Sequence, residues 1–510
     1  MMHSKTVLLT TAIFLLLGIA LNGVTLHGDD PNANDLNVDD LNVDDNWPQF
    51  RGRQSSGVGK GRPPRKWNVE TGKNVEWKTE LLGLGHSGPI VWGDRVIVTT
   101  AINSLNERPS LAKGWSGGAG EPAEETGEWT WRVICLDLNT GKQIWSSDAT
   151  SGKPEIKRHI KGSHANCTPA TDGEHIVAFF GSEGLFCFDM AGVLQWKKTY
   201  GRLHSGPYDS DDLEWGFASS PVIHDGKVIL QCDCLNTNFI SIVDLATGNE
   251  IRRIKREDVA TWSTPLVVAT ANRTQIVCNG FKQMAGYDLA NGDLLWSIEG
   301  GGDVPVPSPL FAHNLIYITN GHGRTPTFAL TPSASGDLTP TNEPDELNDE
   351  GDEANEGAEA DEGELQQQGD RQKGLVWWQP RDGSYIPTPV IYKDLLYTCN
   401  DNGRLAVRNA LTGELVYRQR LGAGRATYTS SAVAVNNHIY FTNEDGETTV
   451  VKYGEQYQEI AVNNLNETTM ATPALAGNRL LLRTERHLFC IAKSKDKPVT
   501  NSAPQEPQRE

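Results

Sequence analysis

The amino-acid sequence predicts an all-β protein, an eight-bladed β-propeller of four-stranded antiparallel blades whose last blade is closed by an N-terminal strand. Three observations predict it. A short strand opening recurs eight times, an Asp- and Gly-bearing turn recurs late in several of the resulting units, and the two ends of the repeat region carry complementary fragments of one unit.

The openings are Ser87-Gly-Pro, Cys167-Thr-Pro, Ser219-Ser-Pro, Ser263-Thr-Pro, Pro307-Ser-Pro, Pro387-Thr-Pro, Ser430-Ser-Ala and Ala471-Thr-Pro. Their third members are spaced 80, 52, 44, 44, 80, 43 and 41 residues apart, the two long spacings holding insertions at 103–130 and 340–372. A turn follows each opening (Trp92-Gly-Asp, His224-Asp-Gly, Tyr392-Lys-Asp), then a β-branched run such as Val96-Ile-Val or Val228-Ile-Leu. Four short strands in a unit of 40–45 residues is the size of a propeller blade.

The late turn is the most specific signal. Asp137-Leu-Asn-Thr-Gly-Lys-Gln-Ile-Trp145 recurs as Asp244-Leu-Ala-Thr-Gly248 and Asp288-Leu-Ala-Asn-Gly-Asp-Leu-Leu-Trp296, with weaker copies at Asp189–Trp196 and Leu411–Tyr417. Gly supplies the positive φ of a tight hairpin, and Asp hydrogen-bonds the turn's own backbone. The aromatic residue four positions after Gly falls on the outermost strand, placed to wedge between blades. The ring closes at its ends: Leu488-Phe-Cys-Ile-Ala492 reads as a third strand with no fourth after it, whereas Thr71-Gly-Lys-Asn-Val-Glu-Trp77 reads as a turn and fourth strand with none before it. Joining them removes the exposed sheet edges.

Outside residues 46–493 the chain cannot build a core. Lys5 and the apolar run Val7–Leu21 read as a secretory signal peptide over 1–28, too short for a membrane span. Residues 29–45 form an acidic disordered leader and 494–510 a polar tail. The stretch 343–370 holds thirteen acidic residues and no Lys or Arg, and is a solvated insertion. The net charge of −19 is concentrated there: without leader, insertion and signal, 45 acidic residues face 45 basic ones. A near-neutral body carries no nucleic-acid footprint, and no transmembrane span remains after signal removal. The expected location is periplasmic or secreted.

The Asp-x-x-Thr-Gly-x-x-x-Trp repeats, the Ser/Thr-Pro openings and the entry Trp47-Pro-Gln-Phe-Arg-Gly52 resemble the pyrroloquinoline-quinone (PQQ)-like propeller family. That family includes quinoprotein dehydrogenases, the propeller lipoprotein of outer-membrane β-barrel assembly, and exported propellers without an assigned activity. Together with Trp215-Gly-Phe-Ala-Ser-Ser-Pro221 and Trp262-Ser-Thr-Pro265, the entry motif is most similar to the last group. For the enzymes, the resemblance implies PQQ beside a calcium ion, and in methanol-type members an adjacent-cysteine disulfide. Here the nearest cysteines are Cys232-x-Cys234, no acidic cluster maps onto the calcium set, and Lys282, Arg324 and Arg425 are cationic partners by loop position only. No cofactor and no catalytic or metal-binding residue is assigned on this basis.

Cys135, Cys187 and Cys490 share one column of the repeat and read as small core hydrophobes, so the eight cysteines do not read as a disulfide framework. Function is expected on one rim, where loops before first strands and between second and third strands crowd the channel. Those loops carry His86, His164, Asn166, Trp215, Trp262, His322, Arg324, Tyr385 and Tyr428, and the 103–130 insertion, with Trp115, Trp129 and Trp131 near it, joins them as a candidate lid. The expectation is a non-enzymatic module of the cell envelope that binds a protein or small-molecule ligand at the channel mouth. The alternative is a PQQ- or other cofactor-dependent oxidoreductase.

Overall fold

A computed structural model describes residues 45–105, 111–114, 120–210, 212–340, 373–422 and 426–494, together with the backbone of 367–368. The predicted leader, the acidic insertion and the tail lie almost wholly outside these residues, as do Trp115 and Arg425.

Eight antiparallel sheets form the ring. Blade 1 runs Ile90–Trp92, Arg95–Asn103, Trp129–Asp137, Gln143–Gly152; blade 2 Ala170–Thr171, His175–Phe179, Leu185–Asp189, Leu194–Lys198; blade 3 Val222–His224, Lys227–Asp233, Asn238–Asp244, Glu250–Lys255. Blade 4 is Leu266–Ala269, Thr274–Cys278, Met284–Asp288, Leu294–Ile298; blade 5 Leu310–Ala312, Leu315–Thr319, Thr327–Leu330, Leu375–Gln379; blade 6 Val390–Tyr392, Leu395–Cys399, Arg404–Asn409, Leu415–Arg420. Blade 7 is Val433–Val435, His438–Thr442, Glu447–Lys452, Glu459–Asn464, and blade 8 has Ala474–Ala476, Arg479–Arg483 and His487–Ile491. Its fourth strand is Val75–Glu80, antiparallel to His487–Ile491, so the first and last strands of the ring share one blade. The outer edges of blades 4 and 5 gain short strands, Gly336–Asp337 from the chain before the acidic insertion and Gln367–Gln368 from the end of the insertion itself, which is therefore paired there and not wholly solvated.

The turn motif works as its composition dictates. Asp137 Oδ1 accepts from the backbone N–H groups of Asn139 and Thr140 and from the Thr140 hydroxyl, and Asp244 does the same with Thr247. Gly141 (φ +68°) serves a second purpose: a Cβ there would lie 2.7 Å or less from the Trp77 ring, which docks on it from the preceding blade. The Trp77 indole N–H then donates to Leu138 O at 2.8 Å. Trp145, Trp196 and Trp377 repeat the contact onto Met190 O, Leu245 O and Ala410 O of the next blade. Trp296 reaches blade 5 by relay, donating to Gln275 Oε1, whose Nε2 donates to Pro332 O. The relay stands where blade 5 has no Asp-x-x-Thr-Gly turn.

The Ser/Thr-Pro openings carry a second device. The backbone N–H of each middle residue donates to the hydroxyl of the middle residue one blade on: Gly88 to Thr168, Thr168 to Ser220, Ser220 to Thr264, Thr264 to Ser308, Ser308 to Thr388, Thr388 to Ser431 and Ser431 to Thr472, at 2.8 to 3.1 Å. This belt satisfies buried N–H groups at the inner edge of the ring. The eighth joint has no such hydroxyl, because residue 88 is Gly.

The entry motif crosses the ring. Trp47 pairs with Val91 of blade 1, and Arg51 donates to Thr388 O, Pro389 O and Ala432 O of blades 6 and 7. Between them the turn Arg53–Ser55 packs against the first strands of blades 4 and 5, and Val58 bridges Ala434. Residues 47–58 therefore close one end of the channel before the chain climbs past Asn478 to blade 8. All eight cysteines are buried free thiols; burial pushes Cys135 up to about 11.

Candidate functional site

The opposite face is built by loops before first strands and between second and third strands. Blade 1's second and third strands run out to Asn103 and from Trp129, so Trp129 and Trp131 stand on a strand, each 1 % exposed, instead of in a loop. The shortened insertion turns back over the mouth and meets the loop that precedes blade 2. Ala123 N–H donates to Arg158 O, and Ala112 N–H to Ile160 O.

A charged cluster fastens this junction. Glu125 Oε1 accepts from Arg158 Nη2 at 2.5 Å and Nε at 3.0 Å, and Glu125 Oε2 shares a hydrogen bond with His164 Nε2 at 3.1 Å. Burial works to raise the Glu125 pKa, but the bonds from His164 and Arg158 outweigh it and hold it below the usual carboxylate range. Burial depresses His164, partly offset by Glu125, and its ring packs edge-on against Trp129 at 4.7 Å. Far around the ring, Lys161 reaches Glu444 of blade 7 at 2.6 Å, and Gly114 N–H donates to the same carboxylate. Loops from blades 1 and 2 are thereby tied across the mouth to blade 7.

Trp215 and Trp262 come together beside this junction, ring centroids 5.6 Å apart and tilted by 38°. The Trp215 indole donates to Gly120 O of the insertion and the Trp262 indole to Gly216 O, while His159 packs edge-on to Trp215 at 5.4 Å. Both rings are half-buried, leaving part of each at the surface.

The other rim residues divide. His86 lies beneath the loop, its backbone N–H donating to Ala165 O; burial, with Arg483 and Arg158 nearby, pushes its pKa down to about 3, so the imidazole is neutral. Asn166 clamps the loop, accepting from Ser163 and donating to Phe217 O. His322 and Tyr385 form a second aromatic pair at 4.9 Å on blades 5 and 6, with Asp303 bonded to His322 and Arg324 exposed nearby. Tyr428 is 1 % exposed in a hydrophobic cluster with Tyr397, Leu421 and Phe441, and does not face the mouth.

Sequence reasoning missed a cavity of about 510 Å³ lined by Arg202, His204, Asp212, Glu214, Leu235 and Asn236. Glu214 pairs with Arg202 and accepts from Lys157 N–H, and Asn236 holds Arg202 O and His204 N–H. A signal was present: the 52-residue spacing between Pro169 and Pro221 exceeds the 44-residue repeat, and the surplus chain builds this wall.

The Trp215–Trp262 pair is not spaced to hold a flat quinone between its two rings. A flat ring between two aromatic planes needs them about 7 Å apart, twice a van der Waals contact, and the Trp215–Trp262 centroids are 5.6 Å apart. Glu125 and Glu444 are already engaged by cations, Lys282 is exposed, and among the described residues no group of three His, Cys, Asp or Glu is placed to hold a metal.

Comparison with known proteins adds the following. The model of the family described as outer membrane protein assembly factor BamB matches residues 129–351 and 236–501. Among solved structures, BamB from Moraxella catarrhalis is 13 % identical, with 77 % of this chain and 98 % of that chain covered and a TM-score of 0.47. A europium-containing methanol dehydrogenase is 10 % identical, covering 86 % and 89 %, with a TM-score of 0.53. At such identity the likeness is one of fold. No curated protein matches the chain.

Proposed function

The chain belongs to the PQQ-like propeller family whose model is described as outer membrane protein assembly factor BamB, and from that premise we propose that it is a non-enzymatic binding or scaffold module of the cell envelope, presenting the lidded face to a protein or small-molecule ligand. The observation that carries this reading is the Trp215–Trp262 pair. Both indole donors are spent on backbone carbonyls, Gly120 of the lid and Gly216 of the loop before blade 3, so the rings are held in place before any partner arrives, with part of each still at the surface. A rigid aromatic platform beside a polar cavity suits a ligand that stacks one face and hydrogen-bonds at its edge. The signal-like N-terminus accords with export.

The test is binding by the Trp215→Ala/Trp262→Ala double variant, compared with Trp145→Ala, against envelope extracts and a glycan and peptide panel. The rim variant is expected to lose binding tenfold or more while melting above the Trp145 variant. Equal destabilisation with unchanged binding makes the pair structural. The oxidoreductase reading is tested in parallel: a quinone absorption band that appears with added PQQ and calcium, with alcohol oxidation, would replace the proposal.

A further inference from the structure

Five guanidinium groups are buried among the described residues, and their partners set one apart. Arg256 bonds Asp233 and Asp258, Arg158 bonds Glu125, and Arg408 bonds Asp382. Arg51 has no carboxylate, but its Nε, Nη1 and Nη2 all donate to carbonyls, those of Ser55, Ser56, Thr388, Pro389 and Ala432. Arg483 is 1 % exposed and among the described residues forms no ion pair; Nη1 donates to Ser87 O at 3.0 Å and to Ser87 Oγ at 2.5 Å, and its buried Nε has no partner among them.

Its place in the repeat makes it conspicuous. The register Ala474↔Leu481 sets Arg483 opposite Thr472, the belt residue of blade 8. The same step in blades 1 to 7 gives Thr99, Phe179, Gln231, Asn279, Thr319, Cys399 and Thr442, all uncharged. Members of this column bridge to the next blade with neutral groups, as Thr99 does to Cys167 O and Asn279 to Pro307 O. Only blade 8 bridges with a cation, and it does so at the one joint where the belt has no hydroxyl, beside Gly88. Burial lowers the Arg483 pKa to about 9, which leaves it charged at neutral pH. A buried charge without a counter-charge, with a donor left over, is a strongly unfavourable arrangement in a low-dielectric interior.

We propose that the joint between blades 8 and 1 binds a small monovalent inorganic anion, of the size and charge of chloride, on the guanidinium of Arg483. The anion balances the buried charge and accepts from Nε, and so strengthens the joint that is closed by the N-terminal strand. Because it binds the folded ring alone, its concentration is linked to stability.

The experiment uses the mature protein in sodium gluconate, whose anion is too bulky to enter, with chloride or bromide substituted at constant ionic strength. The melting temperature is expected to rise by roughly 1–2 °C per tenfold increase in chloride once the site is filling, and Arg483→Met is expected to show no slope. Arg420→Gln, an exposed control, keeps it. Should Arg483→Met not fold, crystals of the unaltered protein grown in bromide decide by anomalous scattering, with bromide expected at hydrogen-bonding distance from Arg483 Nε. A flat chloride response in the unaltered protein, a slope that survives Arg483→Met, or bromide absent from Arg483 overturns the proposal.

Discussion

Replacing Thr264 by Val removes one link of the hydroxyl belt with almost no change of shape. Thr264 is 2 % exposed; its Oγ1 accepts from Ser220 N–H at 3.0 Å while its own N–H donates to Ser308 Oγ at 3.1 Å. Valine keeps the volume and the second bond but leaves the N–H of Ser220, a residue 3 % exposed, facing a methyl group. The cost is that of an unsatisfied buried donor, about 1–3 kcal/mol. Thr264→Ser keeps the hydroxyl and loses a methyl, about 0.8 kcal/mol. Guanidinium unfolding followed by tryptophan fluorescence, with the slope checked for constancy, compares the two. Thr264→Val is expected below Thr264→Ser, and Thr264→Val with Thr472→Val should sum, since those joints lie on opposite sides of the ring. A Val variant as stable as the Ser variant would refute the belt as a source of stability.

Deleting residues 46–82 should destabilise the whole ring, because it strips the closing strand, the channel-crossing segment and Trp77; Trp77→Ala alone is expected to cost about 3–5 kcal/mol, read as a lower denaturation midpoint. Deleting 343–366, which spares the short Gln367–Gln368 strand, should leave the melting temperature within a degree or two, since loop length costs little and the segment joins the third and fourth strands of blade 5 on the face away from the lid. Acid should loosen the lid. The Glu125 pKa is depressed in the fold, so its contribution is fully present above the ordinary carboxylate value near 4.5 and is lost as pH falls through the folded value. Glu125→Gln should therefore show a flatter fall of melting temperature below that pH than the unaltered protein.

Much of the fold was legible because its signals are local. Asp137, Thr140 and Gly141 bond and turn within one hairpin, so their spacing alone announces it. The split blade was legible because two fragments of one repeat lie at the two ends. The candidate site was less so. Periodicity places His164, Trp215 and Trp262 on one face, but it cannot say that the two indoles meet each other, that their donors are spent on Gly120 and Gly216, or that Tyr428 turns into the core. Loop residues follow their tertiary partners, and those partners come from segments up to hundreds of residues away.

The all-β class, the blade count, the closing strand and the reason for each Asp and Gly of the turns follow from the letters of the chain, since these depend on contacts inside one repeat or on the count of repeats. What each repeat does for its neighbour emerges in the folded ring alone. The Ser/Thr before proline reads as a strand opening in the sequence, yet its hydroxyl belongs to the preceding blade. Arg483 reads as one more strand-end residue, and ring closure makes it a buried cation facing Ser87 from 396 positions away. A repeat shows its internal bonds in its own letters, whereas bonds between repeats exist only once the ring has brought their ends to the same joint.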